Sequence, residues 1–317
     1  MSEAGIVPRT MTAMQVRVLG GPERLERVTV PVPVPDIGEV LVRVRAAGIN
    51  PADVGDQRTG VFSGPPPFTP GWDVSGEVAA LGPGVTVHRV GDPVLGLLPF
   101  PRRAGAYAEY AVGPARAFVP KPDTIDHVQA AALPLAGLTA LQALVDTADV
   151  QPGARVAVTA ASGGVGHLAV QVVAELGAHA VAVTSARSVD LLRDLGVREF
   201  VDRDRTTLVD GADPVDVVFE LVGGDAPLAS LRALVPGGVL VSSLPQSLGP
   251  VRPLAAELGV TATGLFVESD GAGLAHLVEL VHHGAVRPVV AAVHDLADAA
   301  RAQSEAHGPG KVVLQVP

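Results

Sequence analysis

A glycine-rich segment, TAASGGVGHLAV at residues 159–170, has the residue types and spacing that bind phosphate groups. Ala160 to Gly166 fit the pattern A-x-x-G-x-x-G, a variant of the dinucleotide fingerprint with alanine in place of the first glycine. Gly163 and Gly164 would let the backbone approach a pyrophosphate, and Gly166 would let a helix pack closely on a strand. The phosphates would lie at the N-terminus of that helix, where N–H groups point outward. The residues predicted to bind the dinucleotide here are Ser162, Gly163, Gly164 and Val165.

The segment after the second predicted strand indicates which dinucleotide binds. A site for NAD needs a carboxylate about 20 residues after the glycines, to bind the ribose 2′-OH. Counting from Gly163 leads to residues 183–187, VTSAR, which contain no acid, and Asp190 falls inside the next predicted helix. Ser185 and Arg187 offer a hydroxyl and a guanidinium that suit a 2′-phosphate, although Arg187 could instead be a solvated charge. The sequence therefore favours NADP(H) as the cofactor.

Strands and helices alternate from residue 154 onward, and these elements would position the glycine loop. The first helix has apolar side chains at i, i+3, i+4 and i+7, the spacing of an amphipathic helix. The alternation predicts a parallel, doubly wound sheet, and this setting favours a dinucleotide site over a purely structural turn. The predicted strands are residues 154–160, 179–185, 199–202, 214–223 and 237–244, with a sixth candidate at 260–267.

The first 120 or so residues are rich in short strands separated by turns. Apolar and polar side chains alternate at residues 14–20 and 39–49, as they do in half-buried strands. Short strands with many Gly- and Pro-rich turns predict a curled sheet or a small barrel. Helical spacing begins within residues 122–144, so we place the domain boundary near Pro122. The predicted domains are residues 1–122, completed by 266–317, and residues 123–265.

Composition narrows the class of protein. A chain of 317 residues favours two domains, and a net charge of −10 argues against a nucleic-acid partner. The sequence contains no cysteine, which excludes disulfides and thiolate zinc sites and makes the reducing cytoplasm the simplest location. Its apolar stretches are interrupted before the ~20 residues that a bilayer requires, so no membrane association is expected.

Seven short motifs are spread over nearly the whole chain. They are GINPAD, PGWDVSGEV, VGDPVLG, GAYAEYAV, AAALPLAGLTA, AASGGVG and GPGKVVLQV. With them the chain resembles the medium-chain dehydrogenase/reductase superfamily, and within it the zinc-free quinone oxidoreductase branch that includes zeta-crystallin. The resemblance implies a GroES-like catalytic domain around an inserted Rossmann domain. It also implies a homodimer.

The resemblance assigns roles to residues at matching positions. Asn50 of GINPAD would lie near the nicotinamide, where zinc-dependent relatives carry a metal-ligating cysteine. Thr139 would approach the nicotinamide or its ribose, and Phe266 and Val267 would border the cofactor. Lys311 of GKVVL could reach the same cleft, or could be a solvated charge at the end of a strand.

Metal catalysis is not expected from this sequence. Zinc sites in the superfamily use cysteine, and the adjacent His282 and His283 would point about 100° apart on a helix. Without a metal, hydride transfer suits a small-molecule substrate that spreads the developing charge, such as a quinone or an enone. No side chain is predicted as the proton donor, and solvent can serve.

Two other functions compete with this hypothesis. Many relatives place an aromatic residue just after the N-P-x-D turn, whereas residues 53–57 here read DVGDQ. The missing aromatic keeps open a non-catalytic, structural or regulatory NADPH-binding protein. A zinc alcohol dehydrogenase is the third hypothesis, and it fails on the absence of cysteine.

Overall fold

The computed structural model describes residues 7–305 and 308–317. The strands of the described residues are β1 Thr10–Val16, β2 Leu25–Pro31, β3 Glu39–Gly48, β4 Asp73–Leu81, β5 Pro93–Leu97, β6 Tyr110–Pro114, β7 Phe118–Pro120, β8 Arg155–Val158, β9 His179–Thr184, β10 Glu199–Asp202, β11 Val215–Glu220, β12 Leu234–Ser242, β13 Thr261–Gly264, β14 Val290–Asp295 and β15 Lys311–Gln315. Their α-helices are α1 Pro51–Thr59, α2 His127–Ala131, α3 Pro134–Leu141, α4 Gly166–Glu175, α5 Val189–Asp194, α6 Leu208–Gly211, α7 Ala226–Ser230, α8 Val251–Leu258, α9 Gly271–His282 and α10 Ala299–Glu305. Across residues 7–305 and 308–317, no helix is both long enough and apolar enough to cross a membrane.

The chain forms two compact units. The first unit contains the chain up to Leu135, together with Glu268–His282 and Pro288–Pro317. The second unit contains Ala136–Val267 and His283–Arg287.

The boundary between the units lies after Leu135 rather than near Pro122, where the sequence analysis placed it. Helix α2 explains the difference, because its side chains pack on the strands of the first unit. Ala131 and its neighbour Ala132 are fully buried in one cluster with Ala46 of β3 and Val313 of β15. Helical spacing therefore begins before the second unit does.

The second unit is built on a six-stranded parallel sheet in the order β10-β9-β8-β11-β12-β13. Counted within this unit, the order is 3-2-1-4-5-6, that of doubly wound dinucleotide-binding folds. Buried aliphatic side chains from neighbouring strands form its core, including Val181, Val218 and Leu240. The predicted Rossmann architecture is confirmed. Ligands of such folds bind at the carboxyl ends of the strands, where the order reverses between β8 and β11.

The first unit is built on a seven-stranded sheet and a separate β1–β2 pair. The path of the larger sheet is β14-β15-β3-β4-β5-β7. Strand β4 pairs with one edge of β3, while β6 and β15 share the other edge. The β-rich, GroES-like architecture predicted for this part of the chain is confirmed. Strand β15 comes from the end of the sequence, so the C-terminal segment completes this unit.

Candidate functional site

The glycine loop of the second unit lies where the sequence predicted it, between β8 and α4. Its backbone folds on itself, because the N–H of Gly163 donates to the carbonyl oxygen of Ala160 at 2.8 Å. The neighbouring Ala161 N–H donates to Val183 of β9 at 3.1 Å, which holds the loop beside that strand. Within the part of the chain that the structure describes, the N–H groups of Gly164 and Val165 have no acceptor. Two donors at a helix N-terminus thus remain available for an anion.

Two positions in the loop have strict backbone requirements. Ala160, at the first position of the fingerprint, has φ +47°, a left-handed conformation that glycine adopts readily and alanine does not. At Gly166 a Cβ atom would lie 2.4 Å from the carbonyl oxygen of Ala160 and 2.7 Å from Cα of Ala161. Both are backbone atoms, so only glycine fits at residue 166. This confirms the close helix–strand packing predicted for Gly166.

The conformation of Ala160 makes a testable prediction. An L-residue in the left-handed region costs about 1–2 kcal/mol, part of which is offset by the greater unfolded-state entropy of glycine. We expect Ala160→Gly to raise the free energy of unfolding by about 1 kcal/mol, measured by urea denaturation. The control is Ala174→Gly on the exposed face of α4, which should lower it by about 1 kcal/mol. A loss of stability in Ala160→Gly would contradict the assigned strain.

The end of β9 places the two residues predicted to select the cofactor. Ser185 is buried and Arg187 is exposed, and the hydroxyl of Thr184 donates to Ser162 Oγ in the glycine loop at 3.2 Å. Arg187 forms no ion pair within the described parts of the chain. Asp190 lies in α5 and binds Arg193 at 2.6 Å. Residues 183–187 at the end of β9 contain no acid, and Asp202 of the neighbouring strand β10 is paired in register with Thr184.

The other residues predicted for the second unit differ in exposure. Thr139 is buried in α3, and Val267 is buried after the last strand of the sheet. Phe266, between β13 and the end of the unit, is 52% exposed, which is unusual for so large an apolar side chain. The roles of these three residues toward a cofactor stay predictions.

Asn50 belongs to the first unit and lies in a buried polar cluster. It precedes α1 and is 3% exposed. Its Nδ2 donates to Oδ2 of Asp73 at 2.8 Å, and its Oδ1 accepts from Nζ of Lys311 at 2.5 Å. The other carboxylate oxygen of Asp73 accepts from the N–H of Leu135 at 2.6 Å, near the start of α3. Gly48 leaves room for this cluster, since a Cβ there would lie 2.6 Å from Asp73 Oδ2.

Lys311 lies in a buried polar cluster, whereas a cofactor cleft or a solvated strand end was expected. It is 3% exposed, so it is not a solvated strand-end charge. Its ammonium donates to Asn50, to the carbonyl oxygen of Ile49 at 2.9 Å and to Asp73 at 3.2 Å. An ammonium has three N–H donors, and these acceptors use all of them. The solvated strand-end charge is therefore ruled out, and a contact of Lys311 with the cofactor stays a prediction.

A buried acid lies one turn beyond Asn50. Oδ2 of Asp53 accepts from the N–H of Asn50 at 2.7 Å and from the hydroxyl of Tyr107 at 3.0 Å, while its Oδ1 has no partner within the described residues. Burial raises the pKa of Asp53 from 3.8 to about 7, and nearby Asp73 adds to this shift. The two hydrogen bonds and the charge of Lys311 act in the opposite direction. Burial also raises the pKa of Tyr107 well above its usual range.

Two protein-family models match the chain, one inside the first unit and one that spans segments of both units. The alcohol dehydrogenase GroES-like domain matches residues 36–123, and the zinc-binding dehydrogenase family matches residues 195–314. The quinone oxidoreductase of Rattus norvegicus is 31% identical over 321 residues, which cover 96% of each chain. The chain belongs to the medium-chain dehydrogenase/reductase superfamily, in its quinone oxidoreductase branch. It is an NAD(P)-dependent oxidoreductase.

Two plant relatives of this oxidoreductase differ in how much they share with it. A chloroplast envelope quinone oxidoreductase homolog of Arabidopsis thaliana is 40% identical over 191 residues, 58% of each chain. An NADPH-dependent alkenal/one oxidoreductase of the same organism is 33% identical over 325 residues, 97% of this chain and 80% of the relative.

Solved structures of similar fold cover nearly the whole oxidoreductase chain. The quinone oxidoreductase of Coxiella burnetii has a TM-score of 0.90 and 33% identity, covering 97% of this chain and all of its own. A mycobacterial protein complexed with NADPH has a TM-score of 0.85 and 30% identity, covering 96% and 99%. An NAD-dependent alcohol dehydrogenase has a TM-score of 0.85 and 32% identity, covering 97% and 100%. The neighbours therefore include proteins named for each of the two dinucleotides.

The description of one matched family names zinc, and the described residues of this oxidoreductase offer no ligand set for that metal. Residues 7–305 and 308–317 contain no group of three or more His, Cys, Asp or Glu side chains that could hold a metal ion. The amide of Asn50 is bonded at both ends, to Asp73 and to Lys311. No metal enters the chemistry proposed below.

Three residues of the buried cluster were not predicted from the sequence. Asp53, Asp73 and Tyr107 lie within the motifs GINPAD, PGWDVSGEV and GAYAEYAV, but no role was predicted for them. One signal was available: Asn50 is the only asparagine of the chain, and Lys311 is one of only two lysines. That two such rare polar residues bind each other was not deducible from their spacing.

Proposed function

We propose that the protein is an NADPH-dependent reductase of conjugated carbonyl compounds, meaning quinones or α,β-unsaturated ketones and enoyl compounds. The observation that carries the proposal is the end of β9, where Ser185 and Arg187, which has no ion pair among the described residues, follow Thr184 beside the glycine loop. A hydroxyl and a guanidinium fork are the groups that bind a phosphate, whereas an NAD site would carry an acid there.

The residues of the second unit have distinct proposed roles in holding the cofactor. The N–H groups of Gly164 and Val165 bind the pyrophosphate, with Ser162 and Gly163 completing the loop. Ser185 and Arg187 bind the 2′-phosphate, so the whole dinucleotide is oriented by contacts remote from the reacting atoms. When bound, NADPH supplies the hydride. The residues proposed to flank the nicotinamide are Thr139, Phe266 and Val267.

The substrate class follows from the donors that the protein offers. Reduction of an isolated ketone leaves a localised alkoxide, which needs a metal ion or several strong donors. A conjugated carbonyl spreads the charge over carbon and oxygen, and a hydrogen bond from a neutral amide such as Asn50 then suffices. The names of the rat and Arabidopsis relatives support this class, since they refer to a quinone and to an alkenal or enone. Solvent supplies the proton.

The experiment is a substrate panel followed by loss of the NADPH absorbance band. We expect turnover of quinones or enones with NADPH, and slower turnover with NADH or with saturated ketones. Binding of NADPH is measured separately by its fluorescence. Tight binding without turnover across the panel would overturn the proposal and favour a structural or regulatory NADPH-binding protein.

The homodimer implied by the family resemblance stays a prediction. Strand β13 supports it, because within the described residues it pairs only with β12 and leaves its outer edge open. An open edge strand can pair with another chain.

A further inference from the structure

Two ionised side chains hold the amide of Asn50 from opposite ends. Lys311 carries only donors and bonds the amide oxygen, while Asp73 accepts at its carboxylate and bonds the amide nitrogen. An isolated asparagine amide can turn by 180°, which exchanges its donor and its acceptor at little change in shape. Here the turned amide would direct its oxygen at a carboxylate and its NH₂ at an ammonium. Only one orientation is therefore stable.

This orientation leaves one donor unused. The NH₂ group of Asn50 has two hydrogens, and Asp73 receives one of them. Within residues 7–305 and 308–317, no acceptor receives the second. Lys311 and Asp73 also bond to each other at 3.2 Å, which balances their charges inside the protein. A buried ion pair is a poor source of stability, so a role in geometry accounts better for this arrangement.

We propose that Lys311 and Asp73 are positioning residues, which hold the Asn50 amide so that its second N–H donates to the oxygen of the conjugated carbonyl substrate. The inference rests on the proposed function and adds the two residues that hold the Asn50 amide in its donating orientation. Asp73 also accepts from the N–H of Leu135 near the start of α3, so its substitution would disturb the fold as well. Lys311 is the better residue to test.

The test compares Lys311→Met, Asn50→Ala and the double variant in NADPH-dependent reduction of the best substrate of the panel. Removing one oriented donor from a developing negative charge costs about 10²–10³ in kcat. We expect Lys311→Met to lower kcat at least tenfold and to leave the NADPH Kd within twofold. In the Asn50→Ala background the same change should lower kcat less than threefold further, because Lys311 acts through Asn50. An equal loss in both backgrounds would overturn the proposal.

Lys121 provides the matched control, as the only other lysine of the chain. Its ammonium donates to the backbone carbonyls of Pro122 and Ile125 at 3.0 and 2.6 Å, and neither of these residues is assigned to the site. Lys121→Met should keep kcat within twofold of wild type. A tenfold loss in this variant would show that removing a lysine harms the enzyme in general, and would overturn the assignment to Lys311.

A chemical rescue separates positioning from folding. Because the chain has no cysteine, Lys311→Cys can be converted in mild denaturant by 2-bromoethylamine at this single position and then refolded. The product restores an ammonium on a side chain of nearly the same length. We expect kcat to recover at least fivefold over unmodified Lys311→Cys, while alkylation with neutral iodoacetamide should give no recovery. Recovery with both reagents, or with neither, would contradict the proposal.

A spectroscopic readout does not depend on turnover. Asn50 is the only asparagine, so protein labelled with ¹⁵N in asparagine side chains gives one NH₂ signal pair. We expect its hydrogens to exchange with solvent at least tenfold faster in Lys311→Met than in wild type or Lys121→Met. If wild type lacks activity but shows this difference, the proposed function fails and the positioning stands. Equal exchange in all three proteins would overturn the positioning itself.

Discussion

Replacing Asp53 by asparagine should raise the free energy of unfolding relative to wild type, and this gain should grow with pH. Between pH 4 and pH 8 we expect the difference between the two proteins to increase by about 4 kcal/mol. The cause is burial, which raises the pKa of Asp53 from 3.8 to about 7 in the folded chain. Between these two values the folded state keeps a proton that the unfolded state has lost. Stability therefore falls with increasing pH, at about 1.4 kcal/mol per unit over about three units. Asparagine carries no such proton, so the variant loses this dependence.

The measurement is the free energy of unfolding in urea at pH 4, 5, 6, 7 and 8. The variant keeps both hydrogen bonds that the Asp53 carboxylate accepts. The amide oxygen of asparagine can accept from the N–H of Asn50 and from the hydroxyl of Tyr107, as Oδ2 of Asp53 does. Asp190→Asn, at an exposed carboxylate in α5, is the control for removing one acid. It should follow the wild-type curve. Parallel curves for wild type and Asp53→Asn would show that Asp53 titrates equally in the folded and unfolded states.

Cofactor preference should reverse when the end of β9 is changed. A hydrogen bond to a charged group contributes about 1.5–3 kcal/mol, which corresponds to roughly ten- to a hundredfold in affinity. Arg187→Ala should therefore weaken NADPH by that factor and leave NADH nearly unchanged, because NADH has no 2′-phosphate. Ser185→Asp should go further, since the new carboxylate repels the phosphate and offers the NADH ribose a partner.

The ratio of kcat/KM for NADPH and NADH measures this preference in wild type and in both variants. Arg193→Ala is the matched control: it removes an exposed arginine of α5 that binds Asp190, and the ratio should not change. A wild-type preference for NADH would contradict the assignment. So would an Arg187→Ala variant that weakens both cofactors equally, because Arg187 would then be only a surface charge.

Sequence patterns predicted the second unit well, because its elements are set by local periodicity. Strand β10 has the predicted bounds, 199–202, and β9 differs from the prediction by one residue. Strand β1 was predicted at 14–20 but spans Thr10–Val16, since its length is set by pairing with β2 from Thr10↔Pro31 to Val16↔Leu25. A partner strand is not visible in the alternation of side chains along a single segment.

The candidate site shows the same contrast between local and distant information. The glycine loop is continuous in sequence, and its close helix packing and its place between β8 and α4 were predicted. The environment of Lys311 was not, because its partners Asn50 and Asp73 lie 261 and 238 residues away in the chain. Composition alone could not distinguish a solvated lysine, a cofactor ligand and a buried partner of an amide. That choice is made by the way β15 completes the first sheet.

The most direct test of the proposed chemistry follows a deuterium label. The protein is supplied with NADPH deuterated at C4 of the nicotinamide and with a cyclic enone, and the product is analysed by NMR. Reduction of a conjugated carbonyl predicts one deuterium at the β-carbon of a saturated ketone, with the α-carbon protonated from water. Deuterium on the carbonyl carbon of an allylic alcohol, or no oxidation of bound NADPH by either the enone or a quinone, would contradict the account.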